Sequence, residues 1–139
     1  MNEQSYILDF DDNPHAVIES RHDDRPFQFH DKLLYAFVPE EEIKAFLDQH
    51  LHRTIGEFHS VSFTPQIYEV QLGNELVTLC QAPLGASAAV QLLDWLIGYG
   101  VKEVLTVGTA GVLVDLPENV MLLPKRAIRD EGTSFHYME

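Results

Sequence analysis

Residues 75–108, with the sequence ELVTLCQAPLGASAAVQLLDWLIGYGVKEVLTVG, decide the fold of this chain. The apolar runs over Glu75–Gln81 and Lys102–Val107 have the length and side-chain types of buried strands. Between them, Ala86–Tyr99 has apolar residues at helical spacing, and Gly100 ends the predicted helix. Strand, helix and strand in this order predict a βαβ unit, in which the two strands form a parallel pair. The helix stripe that we expect to be buried consists of Val90, Leu93, Leu96 and Ile97.

The residues before this unit predict one more helix and two more strands. KLLYAFVP (32–39) is typical of a buried strand, and PEEEIKAFLDQHLH (39–52) has apolar residues at helical spacing. Pro39 suits the first helical turn, and the three glutamates that follow it suit the positive end of the helix dipole. IYEVQL (67–72) is joined to the strand at Glu75 by Gly73-Asn74, which is a two-residue hairpin signal.

After the unit, NVMLLPKRAIRDE (119–131) predicts a further strand, in which Pro124 marks a bulge or an edge position. A chain of 139 residues is close to the usual size of one domain, so we expect a single domain over residues 1–139. The order of the elements predicts an α/β fold with a mixed sheet.

Composition excludes several classes of protein. The formal net charge of −13 argues against nucleic acid as a partner, because binding to phosphates requires clustered Lys and Arg. No apolar run has the length of a membrane span, and MNEQSYILDFDDNP (1–14) has no basic region typical of a secretion signal. Cys80 is the single cysteine, and we expect it to be a small residue of the core. We expect a cytoplasmic, soluble protein that binds no membrane.

Three histidines, His50, His52 and His59, lie near one another in the sequence. His50 and His52 are two residues apart and would point to different faces of a helix. Since no Cys is nearby and the spacing is not that of metal ligands, we expect no metal site.

Two small-residue loops follow the two strands of the predicted unit. APLGAS (82–87) follows the first strand, and GTAG (108–111) follows the second. Parallel strands end at one edge of their sheet, where open α/β folds bind ligands, so both loops should open there. Gly108 and Gly111 would let the backbone approach a ligand, and Thr109 adds a hydroxyl group. Tight turns without a ligand explain such glycines equally well.

The segments GVKEVLTVGTAGVL (100–113) and LLPKRAIRDEGTSFHY (122–137) together resemble the nucleoside phosphorylase family, which comprises purine nucleoside and uridine phosphorylases and related nucleosidases. The resemblance is strongest over about residues 67–139. It implies a three-layer α/β/α fold, here truncated, with a mixed central sheet that contains the parallel βαβ unit. It also implies cleavage of an N-glycosidic bond, in which phosphate or water attacks the ribose of a nucleoside, with no cofactor besides phosphate as a co-substrate.

The resemblance also implies roles for particular residues. The phosphate and ribose side of the site comprises Thr106, Gly108 and Thr109. The base and ribose side comprises Gly85, Ser87, Ala110 and Gly111. A structural loop comprises Glu131, Gly132, Thr133, Ser134 and His136, and we expect His136 to fix this loop by hydrogen bonds.

Two departures from the family pattern stand out. Thr106 occupies the position at which the family's phosphorylases have a phosphate-binding arginine, and a threonine provides no charge. If phosphate binds tightly, another cation such as Arg21 or Arg25 must take that role. The family's ribose-binding and base-protonating residues lie in a C-terminal half that we expect to be missing, so the catalytic residues are left unassigned.

Three functions therefore stay open at this point: a phosphorylase-type pentosyltransferase that is inactive alone, a nucleosidase-like hydrolase, and a non-catalytic module that binds nucleosides or assembles. Family members are oligomers, and a truncated sheet leaves unpaired edges and apolar surface. We expect a homo-oligomer that covers the face bearing Val120–Leu123 or the edge beside it.

Overall fold

The computed structural model describes residues 10, 12, 13, 15–21 and 25–138. The chain divides into two compact units, of which the first is Pro14–Thr109 and the second contains Ala110 and the residues that follow it. The expectation of one domain over residues 1–139 stays a prediction. The sequence MNEQSYILD, where we expect no secretion signal, lies outside the described residues.

The first unit contains a five-stranded mixed sheet. Its strands are β1 (Lys32–Phe37), β2 (His52–Glu57), β3 (Gln66–Leu72), β4 (Glu75–Gln81) and β5 (Glu103–Gly108). They lie in the order β2-β3-β4-β1-β5. β1 is parallel to β4 and to β5, whereas β3 is antiparallel to β2 and to β4. The strands predicted from KLLYAFVP, IYEVQL, ELVTLCQ and KEVLTV are therefore present.

Two helices cover opposite faces of this sheet: α1 (Glu40–Leu47) and α2 (Ala86–Gly98). Along β1, Leu33 and Tyr35 pack in the core cluster that contains α2, whereas Ala36 packs in the cluster that contains α1. This alternation is what a strand buried on both faces requires. The arrangement confirms the three-layer α/β/α fold. Neither helix is long and apolar enough to cross a bilayer, and the same holds for every helix in the described residues.

β4 and β5 run parallel, as the βαβ pattern predicted, but they are not neighbours. β1 lies between them, because Leu33 pairs with Thr78 of β4 on one side and with Val104 of β5 on the other. The expectation that the two strands form a direct pair was wrong. A strand that is apolar on both faces gains most from a position between two other strands, and β1 is such a strand.

The buried face of α2 differs from the predicted one. Leu92, Trp95 and Leu96 are buried, whereas Ile97 is half exposed. Of the predicted stripe only Leu96 is fully buried, and Val90 and Leu93 are partly so. Phe27 and Phe29, which precede β1, pack against Trp95 in edge-to-face and tilted contacts and place the helix face that carries it towards the core.

α1 begins after Pro39 as predicted, and Lys44 pairs with Glu40 at 2.7 Å. It ends at Leu47 rather than continuing towards His52, because the chain turns there to enter β2, and Leu51 is left 76% exposed. The hairpin between β3 and β4 is confirmed. Gly73 adopts a φ of 62°, which the two-residue turn requires.

The second unit contains no strand among residues 110–138, so the strand predicted over residues 119–131 was wrong. A strand is stable only where a neighbour satisfies its backbone hydrogen bonds, and no described strand pairs with this segment. Pro124 removes a donor, and Asn119 adopts a φ of 61°. The regular element of this unit is a short 3-10 helix over Thr133–His136.

Candidate active site

The three parallel strands β1, β4 and β5 end at one edge of the sheet, which we call the C-terminal edge. Two hydrogen bonds fasten the end of β4 to β1 there: Gln81 Nε2 donates to the carbonyl oxygen of Val38, and Ala82 N donates to that of Ala36, each at 2.8 Å. The loop after β4 and the end of β5 therefore leave the sheet from this edge, as predicted.

Gly85 lies in the loop after β4 and is the N-cap residue of α2. Its φ of 96° is accessible mainly to glycine, and a Cβ atom there would meet nothing within 4 Å. No side chain in the described part of the chain caps this helix end. Backbone conformation, and not close packing, therefore explains the glycine, and the loop leads directly into the first turn with Ser87.

Gly108 ends β5 for a different reason. A Cβ atom at this position would lie 3.1 Å from Cβ and 3.2 Å from the carbonyl oxygen of Phe37, so the glycine permits β5 to lie close to β1. Thr109 is exposed next to it, and Thr106 is exposed on β5 opposite Tyr35. The structure thus places Gly85, Thr106, Gly108 and Thr109 in one unit, with Gly85 and Thr109 following strands that end at the same edge.

Ala110 and Gly111 belong to the second unit, as do all five residues of the predicted structural loop. A Cβ atom at Gly111 would meet nothing within 4 Å, and the residue does not have a positive φ, so neither packing nor conformation requires a glycine there. That these residues complete a site with the first unit stays a prediction.

The charges near the C-terminal edge are mainly acidic. α1 begins there with Glu40, Glu41 and Glu42, and the Lys44 ammonium group is paired with Glu40. Neither arginine considered as a substitute phosphate ligand lies beside Thr106. Arg21 lies 5.6 Å above the ring of Tyr99, at the opposite end of α2 from Gly85.

Arg25 is engaged elsewhere as well. Its guanidinium lies 4.8 Å above the ring of Phe27, and its Nη1 lies 3.9 Å from Oε1 of Glu57 at the end of β2. β2 and β5 form the two opposite borders of the sheet, so this pair is far from Thr106. Among the described residues of the first unit, no arginine therefore lies beside Thr106 to supply positive charge.

A cleft of about 330 Å³ borders the loop after β4. The chain that joins β2 to β3 forms one wall, and Pro83 with the first half of α2 forms the other. His59 Nε2 lies 2.9 Å from Oε1 of Glu57, and the Ser60 hydroxyl donates to the carbonyl oxygen of Phe63 at 2.6 Å. Apolar and polar groups line the cleft together: Phe58, His59, Ser60, Val61, Ser62, Phe63, Pro83, Ala88, Gln91 and Leu92.

The histidines weighed as metal ligands have separate partners. His50 lies in the turn after α1, with Nδ1 2.7 Å from the carbonyl oxygen of Phe46, and His52 begins β2. The expected placement of both on one helix was therefore wrong. Among the residues that the structure describes, no three His, Cys, Asp or Glu side chains are grouped to hold a metal ion.

The segment RDEGTSFHY forms a self-contained turn in the second unit. The Glu131 carboxylate accepts hydrogen bonds from the backbone N–H groups of Thr133 at 2.8 Å and Ser134 at 3.1 Å, and so caps the 3-10 helix. Hydrogen bonding to Ser134 and Thr133 lowers the pKa of Glu131, which keeps it ionised as the acceptor.

Arg129 holds the other side of this turn. Its guanidinium donates to Ser134 Oγ at 2.9 Å and to the carbonyl oxygen of Met138 at 2.7 Å, and it lies 4.4 Å above the ring of Phe135. His136 is exposed at the end of the 3-10 helix, and its role in fixing the loop stays a prediction.

Sequence reasoning missed a polar cluster at the start of β1. His30 Nε2 lies 2.7 Å from Oε2 of Glu69, and Arg53 Nε donates to Oε1 of the same carboxylate at 2.6 Å. The Arg53 and His30 hydrogen bonds lower the pKa of Glu69 to about 2. The available signal was a glutamate within the apolar alternation of β3, on the face that also bears the buried Ile67.

This cluster predicts an acid-dependent loss of stability. The pKa of Glu69 is about 2 in the folded protein and about 4.5 ordinarily, so its contribution is complete above pH 4.5 and is lost as the pH falls towards 2. We expect Glu69→Gln to lower the free energy of unfolding at pH 7 by about 1–2 kcal/mol, since Arg53 is solvent-exposed. Urea unfolding at pH 7 and at pH 3 measures this difference in the free energy of unfolding. Glu41→Gln, at an exposed carboxylate without an ion pair among the described residues, is the control, and an equal loss in both variants would contradict the assignment.

The model of the phosphorylase superfamily matches residues 33–139, which is more than half of the chain. The chain therefore belongs to the phosphorylase superfamily, and the match confirms the resemblance to the nucleoside phosphorylases. Comparison with curated proteins and with solved structures gave no match.

Proposed function

We propose that the chain binds a nucleoside at the C-terminal edge of β1, β4 and β5 and takes part in cleavage of its N-glycosidic bond. The observation that carries the proposal is the superfamily match over residues 33–139. It includes the two loops that the parallel strands place at this edge, at Gly85 and at Gly108–Thr109. Exposed Thr109 and the cleft beside Pro83, which is lined by both apolar and polar groups, suit a polar ring compound such as a nucleoside.

Two reactions fit such a site. In phosphorolysis, phosphate attacks the anomeric carbon, and the products are the free base and ribose 1-phosphate. In hydrolysis, water attacks instead. Thr106 favours hydrolysis as the second candidate, because it supplies no positive charge and because Arg21 and Arg25 contact other groups. The acidic start of α1 and the net charge of −13 also oppose the binding of an anion.

Release of free base from a panel of ribonucleosides, measured by chromatography with and without phosphate, tests the proposal. Phosphate-dependent release establishes phosphorolysis, and release independent of phosphate establishes hydrolysis. If neither occurs and calorimetry still detects nucleoside binding, the chain is a non-catalytic binding module. Absence of both binding and release overturns the proposal.

Thr106 provides a direct test of the phosphate requirement. We expect phosphate to bind the natural chain with a dissociation constant weaker than about 1 mM, and Thr106→Arg to tighten it at least about tenfold by adding a charge-assisted, bidentate contact. Calorimetric titration with phosphate measures both. Thr54→Arg adds the same charge on β2, at the opposite border of the sheet, and should change the affinity little. Equal tightening in both variants would show a general charge effect instead.

A further inference from the structure

One wall of the cleft beside the loop after β4 is held in shape by its own hydrogen bonds. Ser60 Oγ donates to the carbonyl oxygen of Phe63 at 2.6 Å, and Phe63 N donates back to Ser60 Oγ at 3.1 Å. Phe58 N donates to the carbonyl oxygen of Pro65 at 3.1 Å, and the Phe58 ring makes an edge-to-face contact with Trp95 in the core. Because a ligand does not have to order this wall, the cleft is preformed.

The opposite wall comes from α2 and from the loop that precedes it. Ala88, Gln91 and Leu92 lie on the first half of α2, and Pro83 lies shortly before Gly85. All the lining residues belong to the first unit, so the cleft is formed within that unit alone. Its volume of about 330 Å³ is at the lower end of the range for small-molecule sites, which suits a heterocyclic base rather than a whole nucleotide.

Glu57 fixes the imidazole ring of His59 in the lining of this cleft. His59 Nε2 lies 2.9 Å from Oε1 of Glu57, and Gln66 Nε2 donates to Oε2 of the same carboxylate at 3.0 Å. The hydrogen bonds from Gln66 and His59 lower the pKa of Glu57, so the carboxylate is ionised and can only accept. In the neutral imidazole, Nε2 therefore carries the proton, and Nδ1 is left as a hydrogen-bond acceptor.

Gln91 supplies an amide group on the helix wall. Its oxygen can accept and its nitrogen can donate, and neither is bonded to another residue that the structure describes. The Ser62 hydroxyl can do both and does not discriminate between donors and acceptors of a ligand. The cleft thus offers one acceptor whose role is fixed, His59 Nδ1, and one amide that can adapt, among apolar groups such as Phe58 and Leu92.

These groups match a base with an amino group beside an unprotonated ring nitrogen, as in adenine and cytosine. The amino group has one proton for His59 Nδ1 and one for the Gln91 oxygen, and the ring nitrogen accepts from the Gln91 amide. In the corresponding oxo bases, a carbonyl oxygen replaces the amino group and the ring nitrogen carries a proton. The Gln91 amide can turn over to fit that edge, but the neutral His59 ring cannot, because Glu57 keeps its proton at Nε2. An oxo base therefore places two acceptors face to face, which costs both a hydrogen bond.

We propose that His59 selects the base of the bound nucleoside, with Gln91 as its second contact, and favours bases with an amino group beside a ring nitrogen over the corresponding oxo bases. This inference rests on the proposed function and adds a specificity-determining residue to it. Gly85 and Ser87, which the family resemblance assigns to the base and ribose side, are neighbours in the chain of the residues that line the cleft.

Calorimetric titration with adenosine and with inosine tests the selection, because the two nucleosides differ in this edge of the base alone. At pH 8, which favours the neutral imidazole, we expect adenosine to bind at least about tenfold more tightly than inosine, and cytidine more tightly than uridine for the same reason. His59→Phe keeps a ring and removes its acceptor, and should reduce the preference for adenosine to less than about threefold.

Two further variants separate selection from general effects on the cleft. Gln91→Leu should weaken adenosine and inosine together and retain the preference, because the amide fits both edges. Gln49→Leu, at an exposed glutamine just after α1, is the matched control and should change neither affinity. Circular dichroism should show a retained fold, since all three replaced side chains are at least half exposed or at the surface.

The possible failures are distinguishable. If the natural chain binds adenosine and inosine equally, the selection is overturned and the proposed function stands. If His59→Phe weakens both nucleosides by the same factor and retains the preference, His59 has a structural role and the assignment is overturned. If the natural chain binds no nucleoside, the proposed function fails and the selection fails with it.

Discussion

Replacement of Gly100 by alanine is expected to lower the free energy of unfolding by about 3 kcal/mol, through backbone strain and a steric clash together. Gly100 follows α2 with a φ of 126°, where a side chain is strained. A Cβ atom would lie 2.7 Å from the carbonyl oxygen of Phe29, and that backbone is held in place because Phe29 N donates to the carbonyl oxygen of Tyr99 at 2.9 Å. The backbone therefore cannot move aside without losing this bond.

Urea denaturation followed by far-ultraviolet circular dichroism measures the loss. Gly73→Ala is the matched control, because Gly73 also has a positive φ, 62°, but a Cβ atom there would meet nothing within 4 Å. We expect the control to lose only about 1 kcal/mol. Equal losses would show that conformation alone, and not the contact with Phe29, restricts position 100 to glycine.

Truncation of Trp95 to alanine is expected to cost about 4 kcal/mol, which is typical of a buried aromatic residue. Trp95 is 3% exposed, and its ring centroid lies between 5.1 and 5.2 Å from those of four other aromatic rings. Those rings belong to Phe27, Phe29, Phe58 and Tyr99. Loss of the Trp95 ring therefore leaves a cavity between α2, the segment before β1 and the end of β2.

Ile97→Ala on the same helix is the control, since Ile97 is 50% exposed and should lose less than about 1 kcal/mol. The comparison also tests the position of Ile97, because the predicted buried stripe of α2 contains Ile97, whereas the structure leaves it half exposed and buries Trp95. Circular dichroism is the suitable probe, as Trp95 is the single tryptophan of the chain. A larger loss at Ile97 than at Trp95 would contradict the structure.

The features that the sequence predicted correctly are those with local causes. The hairpin at Gly73-Asn74 depends on two turn residues between alternating strands, and α2 begins at Ala86 as predicted, just after Gly85. Parallel directions of β4 and β5 follow from the helix that joins them. Each of these needs no knowledge of residues distant along the chain.

The features that it missed depend on distant residues. β1 lies between β4 and β5 because it pairs with both strands, which are far from it in the sequence. No local sequence pattern predicts such pairings. The face that α2 buries is set by Phe27 and Phe29, which lie outside the helix. The strand expected at Val120–Leu123 has the right composition but lacks a neighbour in the described chain.

The candidate site shows the same division. The positions of Gly85 and Gly108 at the strand ends could be predicted, but the reasons for the two glycines differ and needed coordinates: a φ of 96° in one case and contact with Phe37 in the other. The Glu69 cluster joins three segments that are far apart in the sequence, so the spacing of residues could not predict it. Family resemblance supplied the expected roles of Thr109 and of the loop at Glu131, which composition and periodicity do not provide and which stay predictions.

The position of β1 between β4 and β5 has a consequence for synthesis of the protein. β1 is the first strand of the sheet to leave the ribosome, yet Leu33 pairs with Thr78 and Val104, which are translated much later. Until β4 has been made, a strand with apolar residues on both faces stays without a partner, and until β5 has been made one of its edges stays unpaired. Exposed strands of this kind bind chaperones and aggregate. β2, β3 and β4 can meanwhile close over short loops, at lower entropic cost. Nascent chains halted before residue 103 would therefore hold β2, β3 and β4 complete on one side of β1, while the other edge of β1 is still unpaired.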